Sequence, residues 1–178
     1  MEKFQERNLD GGQLFLFGEI NEENAQRVIE QLVYLDGRRR ARPHEITVWV
    51  NSPGGLLQPA LAIADVFDRC RATIRTIGMG TVESAASYVV MAGSRGHRFV
   101  SRYASIMIHE FTWSNSGSYT EMQGRKREVE NTQKRQLAFV AERTGATPAQ
   151  VRRILRHEET WLTPEEAIEL GVVDGIYE

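Results

Sequence analysis

Cysteine is nearly absent from this chain: Cys70 is its single example in 178 residues. A lone cysteine excludes an internal disulfide and fits a reducing compartment. Long apolar runs are missing too, since no stretch approaches the ~20 consecutive residues of a membrane span. The opening segment, Met1-Glu2-Lys3-Phe4-Gln5-Glu6-Arg7, lacks the apolar core of a secretory signal. A cytoplasmic protein without a membrane partner is therefore expected. Neither sign of charge dominates. A formal net charge of -2 supplies no electrostatic reason to expect nucleic acid or an acidic membrane surface as partner. Metal-ligand spacing is also lacking, because the histidines are scattered and neither His-Glu-x-x-His nor Cys-x-x-Cys occurs. Gly78-Met79-Gly80 is followed by no lysine or third glycine to hold phosphate. Neither a metal nor a cofactor is expected.

What is present suits a globular domain. With 41% hydrophobic and 26% charged residues and no low-complexity tract, residues 1–178 form one domain able to bury a core. Leu14-Phe15-Leu16-Phe17 reads as a strand stopped at Gly18, and Asn21 as the cap of a helix with Glu22 and Glu23 in its first turn. Ala25, Val28, Ile29, Leu32 and Val33 continue that helix at helical spacing. Ile46 to Val50 is a second strand, and a helix through about Arg71 follows it. Thr73 to Ile77 is a third strand, which Gly78-Met79-Gly80 is expected to break. Ala85 to Met91 suits a tightly packed helix, with short strands around Arg98–Val100 and Ile106–Ile108. Tyr119 to Arg143 predicts a long charged helix whose sparse apolar positions leave much of it to water or another subunit. Thr147 and Thr163 each open a capping box, and Val172 to Ile176 is a terminal strand. Strands alternating with helices indicate an α/β fold with a largely parallel sheet.

Three segments stand out for chemistry. Asn51-Ser52-Pro53-Gly54-Gly55 ends the second strand, and adjacent glycines let a backbone approach a ligand closely with its N–H groups outward. Ser84 and Ser87 lie three residues apart in the first turn of a helix and compete as nucleophile. Ser84 sits at the mouth of that helix, where the next amide, from Ala85, can donate to an oxyanion; Ser87 suits packing. His109 ends an apolar strand, where sites form in open sheets, whereas His44, His97 and His157 lie among polar neighbours. A glycine-loop amide, a serine and a histidine are the parts of acyl transfer at a peptide bond. A carboxylate to orient the imidazole completes the set, and Glu158 and Glu159 are the candidates.

At these residues the chain resembles ClpP, the proteolytic subunit of the Clp protease, over nearly its whole length. The matching segments are Val50 to Gly55, Gly78-Met79-Gly80, Ser84 with Ala92-Gly93, Gly96 with Arg98-Phe99, Ile106 to His109, and Leu162 through Gly171 to Asp174. The Ala92-Gly93 pair lies where that family has it only if Ser84, not Ser87, is the nucleophile. The resemblance implies the ClpP/crotonase-like superhelix of repeated strand–strand–helix units, with residues 111–143 as a protruding handle. It implies a serine endopeptidase with Ser84 as nucleophile, His109 as base, and the amides of Gly55 and Ala85 as oxyanion hole. Counting back from the nearer anchor, Trp161-Leu162, puts Glu159 at the family's aspartate and makes it the acid; counting forward from Gly145 puts Glu158 there as the alternative.

The implied assembly is a pair of seven-membered rings enclosing a chamber, a tetradecamer. An ATP-consuming AAA+ unfoldase would feed it unfolded proteins, docking at Trp49, Ile77, Met79 and Phe99. The chain departs from the family in having Val82-Glu83 before the serine, where Ala-Ala is usual. Glu110-Phe111-Thr112-Trp113 lacks the usual proline and glycine pair. Two alternatives follow: an impaired ring subunit that co-assembles with an active paralogue, and a crotonase-type enzyme acting on acyl-CoA.

Overall fold

The computed structural model describes residues 2–38, 45–114, 116–155 and 159–178. Within them a seven-stranded sheet runs in the order β1 (Gln13–Phe17), β2 (Glu45–Ser52), β3 (Thr73–Glu83), β4 (Arg98–Ser101), β7 (Gly175–Tyr177). The remaining two of the seven strands branch from the end of β3. β5 (Ser105–Ile108) pairs with the last residues of β3, and β6 (Thr160–Leu162) pairs with β5. Every pairing is parallel except β5–β6. The largely parallel α/β sheet expected from the sequence is therefore observed.

One face of the sheet builds the core. Leu14, Leu16, Val48, Val50, Ile74 and Val100 alternate inward at the period of a strand. They meet α2 (Glu22–Gly37), α3 (Leu57–Phe67) and α4 (Ala85–Met91). Asn21 caps α2 as expected, its Oδ1 accepting from the Asn24 N–H at 2.9 Å. All seven residues of α4 are buried, so the helix that follows Ser84 is anchored in the centre of the molecule. Burying its Val89, Val90 and Met91 contributes roughly 1.5–3 kcal/mol each.

On the opposite face, register aligns Phe15, Trp49, Ile77 and Phe99 across four strands. Trp49 and Phe99 are partly exposed there and Met79 lies farther along β3, but Ile77 is buried at 1% exposure. Trp49 stacks edge-on against Tyr177, and its Nε1 donates to Gln13.

The structure departs from the sequence reading at three elements. Gly78-Met79-Gly80 does not end β3, which runs on to Glu83. A Cβ on Gly78 would lie 2.7 Å from Val82 Cγ2 and 3.1 Å from Val100 Cγ1. That glycine admits close side-chain packing inside a strand rather than a turn. β6 was not expected, because three residues carry no readable period. α1 (Glu2–Asp10) precedes β1 where no helix was foreseen. Cys70 is half-buried, and burial together with the Asp36 charge pushes its thiol up to about 11, so it stays protonated.

α5 (Tyr119–Thr144) is the long helix expected, with a capping box between Ser118 and Glu121 and Gly145 in the left-handed region at its end. Beyond it come α6 (Pro148–Leu155) and α7 (Pro164–Glu169). The α7 capping box between Thr163 and Glu166 and the Thr147–Gln150 pair are both formed. Val172 and Val173 join the core, and the last strand begins only at Gly175.

The β4–β7 edge is tied by Asp174. Its carboxylate accepts from the Gly96 N–H at 2.8 Å, the Arg98 N–H at 3.0 Å, and Arg98 Nε and Nη2 at 2.9 and 2.6 Å. Burial raises the Asp174 pKa, but the Arg98 hydrogen bonds and charge with the Gly96 N–H outweigh it and hold it below the usual value. A depressed folded-state pKa stabilises the fold above the unfolded value. That contribution disappears as pH falls through the folded value. Asp174→Asn is expected to cost about 2 kcal/mol at neutral pH and to flatten the acid limb of the stability profile. Denaturant titration at pH 7 and at progressively lower pH checks both; parallel profiles for the two proteins would count against it.

Candidate active site

β3 ends at Glu83 and α4 begins at Ala85, so Ser84 alone makes the turn between them. It does so at φ 53, the one non-glycine residue with positive φ among those described. Such a backbone costs of order 1–3 kcal/mol and persists only where surrounding structure imposes it. Here the Ser84 N–H is held by Met107 O of β5 at 2.8 Å, and a buried helix follows. The Ser84 side chain does not cap α4. Its Oγ lies 2.6 Å from Nε2 of His109 instead.

His109 directly follows β5, which is laid beside the end of β3 with Glu83 opposite Met107. The two segments therefore leave the sheet side by side, which places the serine and histidine in contact. Ser87 is wholly buried, and its Oγ donates to Ser84 O at 2.7 Å. It braces the turn and does not reach His109.

The glycine loop closes over this turn. Gly54 adopts φ 94, and a Cβ there would lie 2.6 Å from Ser84 Cβ and 2.7 Å from Glu83 O. Gly55 adopts φ 142, and a Cβ there would lie 2.3 Å from Ile20 O. Ile20 N–H donates to Gly54 O at 2.7 Å and Leu56 N–H to Ile20 O at 2.8 Å, fastening the loop to the segment after β1. Ser52 Oγ accepts from the Gly54 N–H at 3.0 Å. Only glycine satisfies such close approach together with such dihedrals. Gly55, Ser84, Ala85 and His109 line one cavity of about 300 Å³, and no described residue accepts from the Gly55 or Ala85 N–H.

α5 forms the cavity's far wall. Gln136 and Thr132 of α5 line it together with Tyr88 of α4, and Phe111 and Trp113 come from the loop before α5. Gln136 Nε2 donates to His109 O at 3.1 Å and to the Tyr88 hydroxyl. Tyr88 is itself 3.4 Å from His109 O. Burial pushes the Tyr88 phenol well above its ordinary value, with the Glu110 charge adding to that and the Gln136 bond opposing it, so it remains a donor. Gln133 Nε2 donates to Glu110 in the same segment. α5 therefore grips the chain on both sides of the His109–Glu110 peptide. Sequence reasoning missed Tyr88 and Gln136. A glutamine on the apolar stripe of an otherwise charged helix was the available signal.

Glu159, the carboxylate expected to orient His109, is exposed, and its Oε2 accepts from Trp161 Nε1 at 2.9 Å. Glu158 lies outside the described residues, as do His44 and His157. His97 pairs with Glu45 at 3.2 Å, away from the cavity. Among the described residues no three His, Cys, Asp or Glu side chains gather to hold a metal ion. No described helix is long and apolar enough to cross a membrane.

Compared with known protein families, residues 1–178 match the Clp protease family model along their whole length. The chain belongs to the Clp protease family, a family of peptidases that assemble as rings.

Proposed function

From that membership and the Ser84–His109 contact, we propose that this protein is a serine endopeptidase subunit of a self-compartmentalising protease that degrades unfolded proteins and peptides. The observation that carries the reading is the 2.6 Å approach of Ser84 Oγ to His109 Nε2, made by a serine that leaves its helix uncapped. His109 accepts the hydroxyl proton as Oγ attacks a peptide carbonyl. The negative charge developing on the carbonyl oxygen is met by the Gly55 and Ala85 N–H groups. His109 then passes the proton to the leaving amine, and water repeats the sequence to release the acyl group.

Two seven-membered rings meeting through α5 would enclose such sites, and the exposed charged surface of α5 supports a role at a subunit contact. An AAA+ unfoldase would dock on the sheet face carrying Trp49, Met79 and Phe99. Buried Ile77 would support that surface from beneath rather than touch the partner. A reducing, cytoplasmic setting suits the lone protonated Cys70.

A fluorophosphonate probe followed by mapping of the modified residue tests the reading, with the mass of the assembly measured in the same sample. Modification at Ser84 in a particle of ring mass is expected. An unmodified protein that also leaves unfolded substrates intact would defeat it.

One observation favours a second reading, an impaired ring subunit partnered by an active paralogue: Glu159 is engaged with Trp161. Glu159→Gln and Glu158→Gln, compared in peptide hydrolysis, separate the two. Loss of turnover in one variant alone identifies the acid, whereas a parent protein that hydrolyses no peptide until an active paralogue is added supports the impaired subunit.

A further inference from the structure

His109 stands one residue beyond its strand. β5 ends at Ile108, and its last rungs are Glu83–Met107 on one side and Ile108–Thr160 on the other. The sheet brings His109 beside Ser84, but its carbonyl is held by two side chains. Gln136 Nε2 donates to His109 O at 3.1 Å, and the Tyr88 hydroxyl lies 3.4 Å from the same oxygen. That oxygen can only accept, which sets the orientation of the Gln136 amide.

These contacts close a ring. Tyr88 sits four residues after Ser84, one turn along α4. The path runs from Ser84 through α4 to the Tyr88 hydroxyl, across to His109 O, and back from His109 Nε2 to Ser84 Oγ. Gln136 bonds both the Tyr88 hydroxyl and His109 O, so α5 is joined to the ring at two points. The Tyr88 ring also packs against Phe139 of α5, with centroids 5.7 Å apart, which steadies the hydroxyl it carries.

Packing alone does not require these polar atoms. Tyr88 and Gln136 are each only 1% exposed, and Gln136 lies on the buried stripe of α5 between Thr132 and Val140. Buried polar atoms are costly unless paired, and no described residue donates to Gln136 Oε1. Leucine at position 136 would pack α5 against α4 and leave no acceptor unpartnered. Two donors on His109 O have a use in catalysis instead, because a displacement of about 1 Å at a reacting group costs on the order of 100-fold in rate.

We propose that Gln136 and Tyr88 are positioning residues for the peptidase reaction. By holding the backbone carbonyl of His109 they keep its imidazole against Ser84, and their polar atoms serve turnover rather than folding. This inference rests on the peptidase reading given above.

Gln136→Met, Tyr88→Phe and the double variant of the full chain test it. The readouts are kcat and KM on a fluorogenic peptide, the rate at which a fluorophosphonate modifies Ser84, and the thermal midpoint. In Gln136→Met the Tyr88 hydroxyl still reaches His109 O and the unpartnered acceptor is gone, so the midpoint should hold or rise. Its kcat should nevertheless fall about tenfold, with KM within about twofold of the parent. Tyr88→Phe keeps the Gln136 bond and should lose about threefold in kcat. Only the double variant leaves His109 O bare. Its kcat should fall at least about 100-fold, by more than the product of the single losses, and fluorophosphonate reactivity should fall with it.

A Gln136→Met midpoint depressed in step with its activity would make the residue structural and overturn the proposal. A change confined to KM would make it a substrate contact, with the same result. So would a double variant as active as the parent. Each of these leaves the peptidase reading standing. A parent protein that neither cleaves the peptide nor reacts with the fluorophosphonate removes that reading, and this one with it.

Discussion

Ser84→Ala is expected to lower peptide hydrolysis by a factor of about 10⁵–10⁶, the scale seen when a serine–histidine pair loses its nucleophile. Alanine removes the oxygen that His109 Nε2 contacts at 2.6 Å and leaves the turn intact. The N–H of residue 84 still donates to Met107 O, and α4 remains buried. Stability should therefore change little while turnover disappears. Ser87→Ala provides the contrast. Its hydroxyl bonds Ser84 O, but that carbonyl also accepts from the Ser87 N–H at 3.0 Å, so about 1 kcal/mol of stability is at stake. Activity of that variant should stay within about tenfold of the parent. Measuring kcat and thermal midpoint for both variants decides the matter, and equal loss of turnover in the two would sink Ser84 as nucleophile.

Gly54→Ala should damage the fold and the site together. At φ 94 an alanine carries about 1–3 kcal/mol of backbone strain. Its Cβ would sit 2.6 Å from Ser84 Cβ and 3.0 Å from the Ala85 N–H, adding about 1–3 kcal/mol of overpacking. At about 2–4 °C per kcal/mol for a chain of this size, the thermal midpoint should fall by roughly 5–20 °C. Relief of the clash would move the loop off the turn, so the Gly55 N–H would leave the place proposed for the oxyanion and activity should fall as well. Gly124→Ala gives the opposite sign. That glycine is exposed inside α5, nothing lies within 4 Å of its added Cβ, and alanine is the better helix former by about 1 kcal/mol. Differential scanning calorimetry of the pair should show one midpoint depressed and one raised; an unchanged midpoint for Gly54→Ala would refute the close-approach argument.

Most of the elements were legible because their signals are local. Asn21, Ser118 and Thr163 cap helices with atoms no more than three residues away, and the inward row Leu14, Leu16, Val48 and Val50 follows the two-residue period of strands. Elements whose reason for existing lies elsewhere in the chain were not legible. β6 is a strand because β5 offers it an edge, and β3 passes through Gly78 because Val82 and Val100 need the room. The sequence also ranked Ser84 and His109 above their rivals, from the position of one at a helix mouth and the other at a strand end. It could not show the positive φ at Ser84 or the 2.6 Å contact, since both arise when β3 and β5 lie side by side.

By itself, then, the sequence determined the α/β class, the long charged helix and the glycine loop, because periodicity, capping and spacing are properties of neighbouring residues. Tertiary structure alone decided that Gln136 and Tyr88 hold the backbone of His109 and that Glu159 turns to Trp161. Those contacts join segments far apart in the chain, and their geometry follows only from how α5, β5 and β6 pack against one another.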